Sequence, residues 1–241
     1  MRLLRDFRPG QLYGVTQRGN NGQWVYRDAE DFCKALDLMR LYAGRHEVRI
    51  HGWCLLHNHG HWVFEASTED SISNLMRDMQ GCYSRYLNKR YRDGPDLLLA
   101  PLEQGSRKQG DFTRFLRAGP VNWSPRFDAQ HLDAKGFKEF LRYAENNPVR
   151  AGLKRRAVDW EWSSARAHCA GEDAGGLLCL ELWQHGFGNP ATAAAEWQVF
   201  LEGPVDEAVE NAARGRKLGP HNRPTGWVRR LEARSAGALP G

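Results

Sequence analysis

The chain has 241 residues, 41% of them apolar and nine of them tryptophan, with 34 Lys and Arg against 29 Asp and Glu for a formal charge of +5. That is enough apolar material for one sizeable domain or a domain with an appendage, and it excludes disorder as the overall state. The modest basic excess is compatible with a polyanionic partner without naming one.

After the basic lead Arg2, Arg5 and Arg8, residues Leu12 to Arg18 read as a strand closed by Gly19-Asn20-Asn21-Gly22. Asp28 is placed to cap a helix running to Ala43, with Phe32, Ala35, Leu36, Met39 and Tyr42 at helical spacing and Gly44 as its stop. A strand from Val48 to Leu56 is expected to turn at Asn58 to Gly60 and return from Trp62 to Ala66. Asp70 or Ser71 then caps a helix whose apolar stripe runs from Ile72 to Leu87 and ends near Tyr91. This β-α-β-β-α order begins an α+β, ferredoxin-like arrangement with both helices on one face of an antiparallel sheet.

Residues 93–121 break the periodicity and read as an inserted loop, leaving Asn122 to Leu132 for the remaining core strand. Asp133 caps a third helix expected to end at Asn147, before Pro148. Residues 1–170 form the expected catalytic domain. Residues 171–241 form a basic helical extension, with short helices near 191–201, 206–213 and 225–234. The five cysteines are scattered, odd in number and free of any C-x-x-C pair, which argues against a disulfide framework or zinc ribbon and for a reducing compartment. The segment MRLLRDFRPG has no apolar signal region, and no run approaches the roughly eighteen uncharged residues of a membrane span, so a soluble cytoplasmic protein is expected.

The chemistry gathers at Leu55-Leu56-His57-Asn58-His59-Gly60-His61-Trp62-Val63-Phe64. Histidines at spacing two fall on one face of an extended strand, and imidazole suits Zn, Mn, Fe, Co, Ni and Cu, so the pair implies a divalent metal without naming it. A plain reading, histidines in a polar hairpin turn, competes with it. On the third helix Tyr143 and Asn147 stand four apart and present a phenol and an amide about 6 Å apart along the axis. Tyrosine on an amphipathic helix is more often a half-buried core residue than a nucleophile.

Several separate motifs together resemble the REP-associated tyrosine transposases, single-tyrosine members of the HUH nuclease class. They are Gln17 to Asn21, Leu56 to His61, Tyr83 to Asn88, Trp123 to Phe127, Arg142 to Leu153 and Trp162-Ser163-Ser164, with a basic element at Arg214 to Gly219. The resemblance implies an HUH core in which His59 and His61 lie on a central strand and bind Mg or Mn with Asn147, while Tyr143 is the nucleophile. It implies cleavage and joining of single-stranded DNA at hairpin-forming palindromes through a 5′-phosphotyrosine. Basic residues suited to that DNA are Arg18, Arg85, Arg150, Arg214, Arg216 and Lys217.

Two positions depart from the family pattern. Gly60 stands where an apolar residue is usual and is expected to weaken strand and packing. His57 stands where proline is usual and is expected to be a solvated turn residue. These departures leave a hairpin-binding protein without turnover as the alternative function. A zinc hydrolase using His57, His59 and His61 is disfavoured, because no acidic residue stands at a recognised ligand or base spacing. No membrane partner is expected, and a monomer is expected in preference to a dimer.

Overall fold

Strand β1 (Leu12–Arg18) leads into α1 (Ala29–Arg45), whose first turn is closed by the Asp28 carboxylate accepting from the Asp31 amide at 3.1 Å. The structure is a computed structural model and describes residues 7–91, 123–186 and 191–203. Helix α1 runs through Gly44, the expected stop. The chain leaves it at Glu47, which takes a positive φ of 52°, while Val48 still donates to the Ala43 carbonyl. His46 fixes this exit, stacking on Tyr42 and meeting the Asp78 carboxylate at 2.9 Å.

Strands β2 (Arg49–Leu56) and β3 (His59–Glu65) form the hairpin, joined by His57 and Asn58 alone. The turn is therefore one step earlier than the Asn58 to Gly60 connection expected from sequence, and His59 and Gly60 belong to the strand. Helix α2 (Ser71–Arg90) follows, with the Ser71 hydroxyl bonded back to the Thr68 carbonyl at 2.9 Å. Strand β4 (Asp128–Leu132) is shorter than expected: Trp123 makes only an isolated bridge to Gly19 before the chain bends at Pro125. The 93–121 insertion and the helices expected at 206–213 and 225–234 lie outside the described residues.

The four strands are antiparallel in the order β2-β3-β1-β4, the ferredoxin-like arrangement. Helices α1 and α2 share one face, where the buried Trp62 ring packs among Ala35, Met39, Met79 and Tyr83. Helix α3 (Ala134–Glu145) covers the other face. Its Phe140 lies against Gly14 and its Leu141 against Gly52, so closely that a Cβ at either glycine would come within 2.8 Å and 2.1 Å of the ring and the methyl.

Segment 162–164 runs along the outer edge of β2, with Leu55 donating to the Trp162 carbonyl and Ser164 to that of Trp53, and Cys179 donates to Ile50 further along. This occupies backbone groups that an edge strand would otherwise present to another chain. Helices α5 (Ala165–Ala170), α6 (Glu181–Gly186) and α7 (Ala193–Glu202) pack next, burying Trp183 and Trp197 completely. Their contact with α3 centres on the buried Glu145. Its carboxylate accepts from Ser164 Oγ at 2.5 Å and Trp197 Nε1 at 2.9 Å and meets His168 Nδ1 at 2.6 Å. Among the described residues no helix is long and apolar enough to cross a membrane.

Candidate active site

Alternation along β3 sends His59 and His61 to the α3 face and Gly60 and Trp62 to the α1 and α2 face. His61 is fully buried. Its Nδ1 lies 2.8 Å from Thr16 Oγ1, directly across the β1–β3 ladder, and its Nε2 lies 2.9 Å from the Asn147 Nδ2. An amide nitrogen only donates, so Nε2 carries the lone pair and the Nδ1–H donates to Thr16. His59 Nδ1 sits 2.6 Å from Asn58 Oδ1, an oxygen that only accepts, so its Nε2 also carries the lone pair. The turn residue and the neighbouring strand thus hold both imidazoles in the same tautomer, their rings 4.9 Å apart and nearly perpendicular.

Burial and then the Arg18 guanidinium push His59 down to about 3. Burial first, then His59, Arg18 and Arg150, hold His61 well below its ordinary value. Both rings stay neutral at ordinary pH, the form in which imidazole ligates a metal. Tyr143, itself buried, sets its ring edge-on to His61 with centroids 5.4 Å apart, and the Arg150 guanidinium lies 4.9 Å from the Tyr143 ring centroid.

Asn147 reaches His61 by a route the sequence spacing did not suggest. Helix α3 stops at Glu145, Asn146 caps it, and Asn147 opens the separate four-residue α4 (Asn147–Arg150). Pro148 therefore stands in the first turn of a new helix, where its missing N–H is harmless, instead of following the end of the old one. The phenol and the amide do not lie on one continuous helix; both reach the same histidine.

The third histidine of the cluster is elsewhere. His57 is half-buried, stacked on Trp24 with centroids 4.4 Å apart, and its Nδ1 lies 2.8 Å from the Tyr26 carbonyl. It is thus a packed residue on the α1 side and not a solvated one, and the three-histidine zinc arrangement is not formed. Gly60 is likewise accommodated: a Cβ there would lie 2.5 Å from the Trp62 ring, so the indole fills the volume a side chain would take. Among the described residues no three His, Cys, Asp or Glu side chains gather to hold a metal. The donor set available is two imidazole nitrogens and one amide, whose oxygen faces His61 when the amide is turned over. Two neutral imidazole nitrogens and an amide oxygen are a donor set that fits a divalent ion.

Of the basic candidates, Arg18 lies beside the pair, opposite His59 in the β1–β3 ladder, and Arg150 lies over Tyr143. Arg85 is exposed on α2, across the sheet from the histidines, with its guanidinium 2.9 Å from Cys82 Sγ. Arg214, Arg216 and Lys217 lie outside the described residues. Sequence reasoning missed Thr16, Asn58 and Glu145. Only Asn58 carried a signal, its adjacency to His59; the other two act through cross-strand register and helix packing.

The remaining motifs brace the hairpin. Gly19 donates to the Asn58 carbonyl at 2.8 Å, Tyr83 Oη to the Val25 carbonyl at 2.6 Å and Trp160 Nε1 to the Leu55 carbonyl at 2.9 Å. Residues 23–98 match the family model described as "Transposase IS200 like". No curated protein matches the chain. The family-model match spans under a third of the chain, and the antiparallel sheet with its helices has the fold of an HUH nuclease core. Among solved structures, a REP-associated tyrosine transposase bound to a REP hairpin matches with a TM-score of 0.52 and 16% identity over 75% of this chain and 90% of that one. A protein assigned as a transposase from Deinococcus radiodurans R1 matches with a TM-score of 0.37 and 15% identity over 61% of this chain and 97% of that one. In fold the chain is RAYT-like, that is, like the REP-associated tyrosine transposases.

Proposed function

We propose that the chain is a divalent-metal-dependent endonuclease and strand transferase for single-stranded DNA, acting at hairpin-forming palindromic repeats through a 5′-phosphotyrosine on Tyr143. The observation that carries this reading is the convergence of β3, α3 and α4 on one buried imidazole. His61 touches the Asn147 amide and faces the Tyr143 ring, with His59 alongside. The similar structure's REP hairpin supports hairpin DNA as the partner.

A bound Mg or Mn ion would polarise the scissile phosphate. His59 Nε2, His61 Nε2 and the Asn147 amide oxygen are the groups that would hold it. Tyr143 Oη attacks phosphorus in line, its new O–P bond forming as the bond to the 3′-oxygen breaks; the proton lost by the phenol balances the one gained by the leaving 3′-hydroxyl. Arg150, over the Tyr143 ring, offers charge-assisted hydrogen bonds to the phosphate oxygens. Because the phosphotyrosine ester retains the energy of the broken bond, the 3′-hydroxyl of another strand reverses the step and joins it. Arg18 flanks the same site, while Arg85, Arg214, Arg216 and Lys217 would meet the DNA away from the scissile phosphate.

Incubation with Mn and a hairpin carrying a single-stranded foot is expected to give a protein–DNA adduct that survives denaturing electrophoresis. The adduct disappears in Tyr143→Phe, and its formation falls by at least about a hundredfold in His61→Ala. Tight hairpin binding with no adduct from the unaltered chain would leave only a DNA-binding role.

A further inference from the structure

On the face of the sheet opposite His59 and His61, where α1 and α2 pack, lies a cavity of about 10 Å³ whose walls include Tyr26, Leu55, Trp62, Gln80, Tyr83 and Trp123. Apart from Gln80 the walls are apolar or aromatic. Three of these side chains nevertheless carry a buried nitrogen with no hydrogen-bond partner among the described residues: Trp62 Nε1, Gln80 Nε2 and Trp123 Nε1. They come from β3, from α2 and from the residue that bridges Gly19. The nearby Tyr83 hydroxyl is already committed, donating to the Val25 carbonyl at 2.6 Å.

A buried N–H without an acceptor is costly, and native interiors rarely leave three beside one cavity. An indole N–H only donates, so both tryptophans need an acceptor. The Gln80 amide is adaptable, presenting its nitrogen or, turned over, its oxygen. We propose that this cavity holds one water molecule, whose two lone pairs accept from Trp62 and Trp123 and one of whose hydrogens goes to the Gln80 oxygen. Three hydrogen bonds is the usual number for a buried water, and the space has the size of one such molecule. A halide ion would accept from all three N–H groups, but among the described residues no Lys or Arg lines the cavity to offset its charge. The water ties β3, α2 and the residue that bridges Gly19 together behind the strand that carries the two histidines. This site stands whether or not Tyr143 reacts with DNA.

Nuclear magnetic resonance on the full chain, with its tryptophans labelled with nitrogen-15, tests the site. The indole N–H signals of Trp62 and Trp123 are assigned by their loss in Trp62→Phe and Trp123→Phe. Both are expected to show a nuclear Overhauser effect to water, with the sign of a long-lived bound molecule, in chloride and in chloride-free buffer alike. In Gln80→Met, which keeps the side-chain length and removes the amide, the two effects should fall by about half or more and the melting temperature by about 2–4 °C. Both effects should persist in Tyr26→Phe and Tyr83→Phe, and their loss there would trace them to an exchanging phenol and overturn the proposal. An absent effect at either indole of the unaltered protein overturns it too, as does an unchanged pair of effects in a folded Gln80→Met. Indole signals that shift when bromide replaces chloride would overturn it in favour of a halide.

Discussion

Thr16 decides which nitrogen of His61 is available. With its hydroxyl accepting from Nδ1–H, the lone pair is left on Nε2, pointed at Asn147. Thr16→Val keeps the shape and removes the acceptor, so Mn affinity measured by calorimetry is expected to fall by about 10- to 100-fold, with Thr16→Ser restoring most of it. Gly60 makes the opposite kind of prediction. Gly60→Val drives a side chain into the Trp62 ring and is expected to lower stability by about 1–3 kcal/mol in a denaturant titration, with Gly60→Val/Trp62→Leu recovering part of the loss. His59 and His61 were legible as a pair from their two-residue spacing, although the same spacing to His57 carried no such meaning and the turn was expected at Asn58 to Gly60. Thr16 was not legible, because the pairing of β1 with β3 is a long-range register that no local pattern records. His57 was misjudged for a similar reason: the Trp24 and Tyr26 groups that bury it come from a different stretch of chain.

Helix α3 is tied into the molecule at its last turn, where Tyr143 faces His61 and Glu145 faces away into α5 and α7. Neighbouring side chains on one helix therefore serve the site and the scaffold at once. Glu145→Ala would strand the His168 and Trp197 donors in a buried space. A loss of about 3–5 kcal/mol in unfolding free energy is expected, against a smaller loss for Glu145→Gln, which keeps one acceptor. Asn146 adds a second tie, its amide donating to the Leu201 carbonyl at 2.5 Å. The cap by Asp133 and the apolar stripe of α3 were readable from sequence. The break at Asn146 was not, since a proline marks the start of one helix as readily as the end of another.

In the whole molecule the sheet is covered on both faces, and the order of strands and the placement of α1 and α2 followed from turn signals and periodicity. What the sequence left open is how the residues after Gly171 attach, because the groups that receive them, Glu145 and the edge of β2, are polar and carry no hydrophobic signature. A chain ending at Ala170 loses Trp183 and Trp197, and is expected to show a weakened near-UV dichroism signal and increased binding of an apolar dye relative to the full chain.

The proposed ligand set has one further property: it carries no negative charge. Two neutral imidazoles and an amide stand between the guanidiniums of Arg18 and Arg150, both of which act electrostatically on His61. A divalent ion entering alone would bring two positive charges into a buried, already electropositive place, and the proposed ligands include no carboxylate to offset them. The phosphodiester supplies the missing anion, so ion and DNA should each raise the other's affinity by the same factor. Mn titrated into Tyr143→Phe, which binds without reacting, is therefore expected to bind at least about tenfold tighter in the presence of hairpin DNA than in its absence.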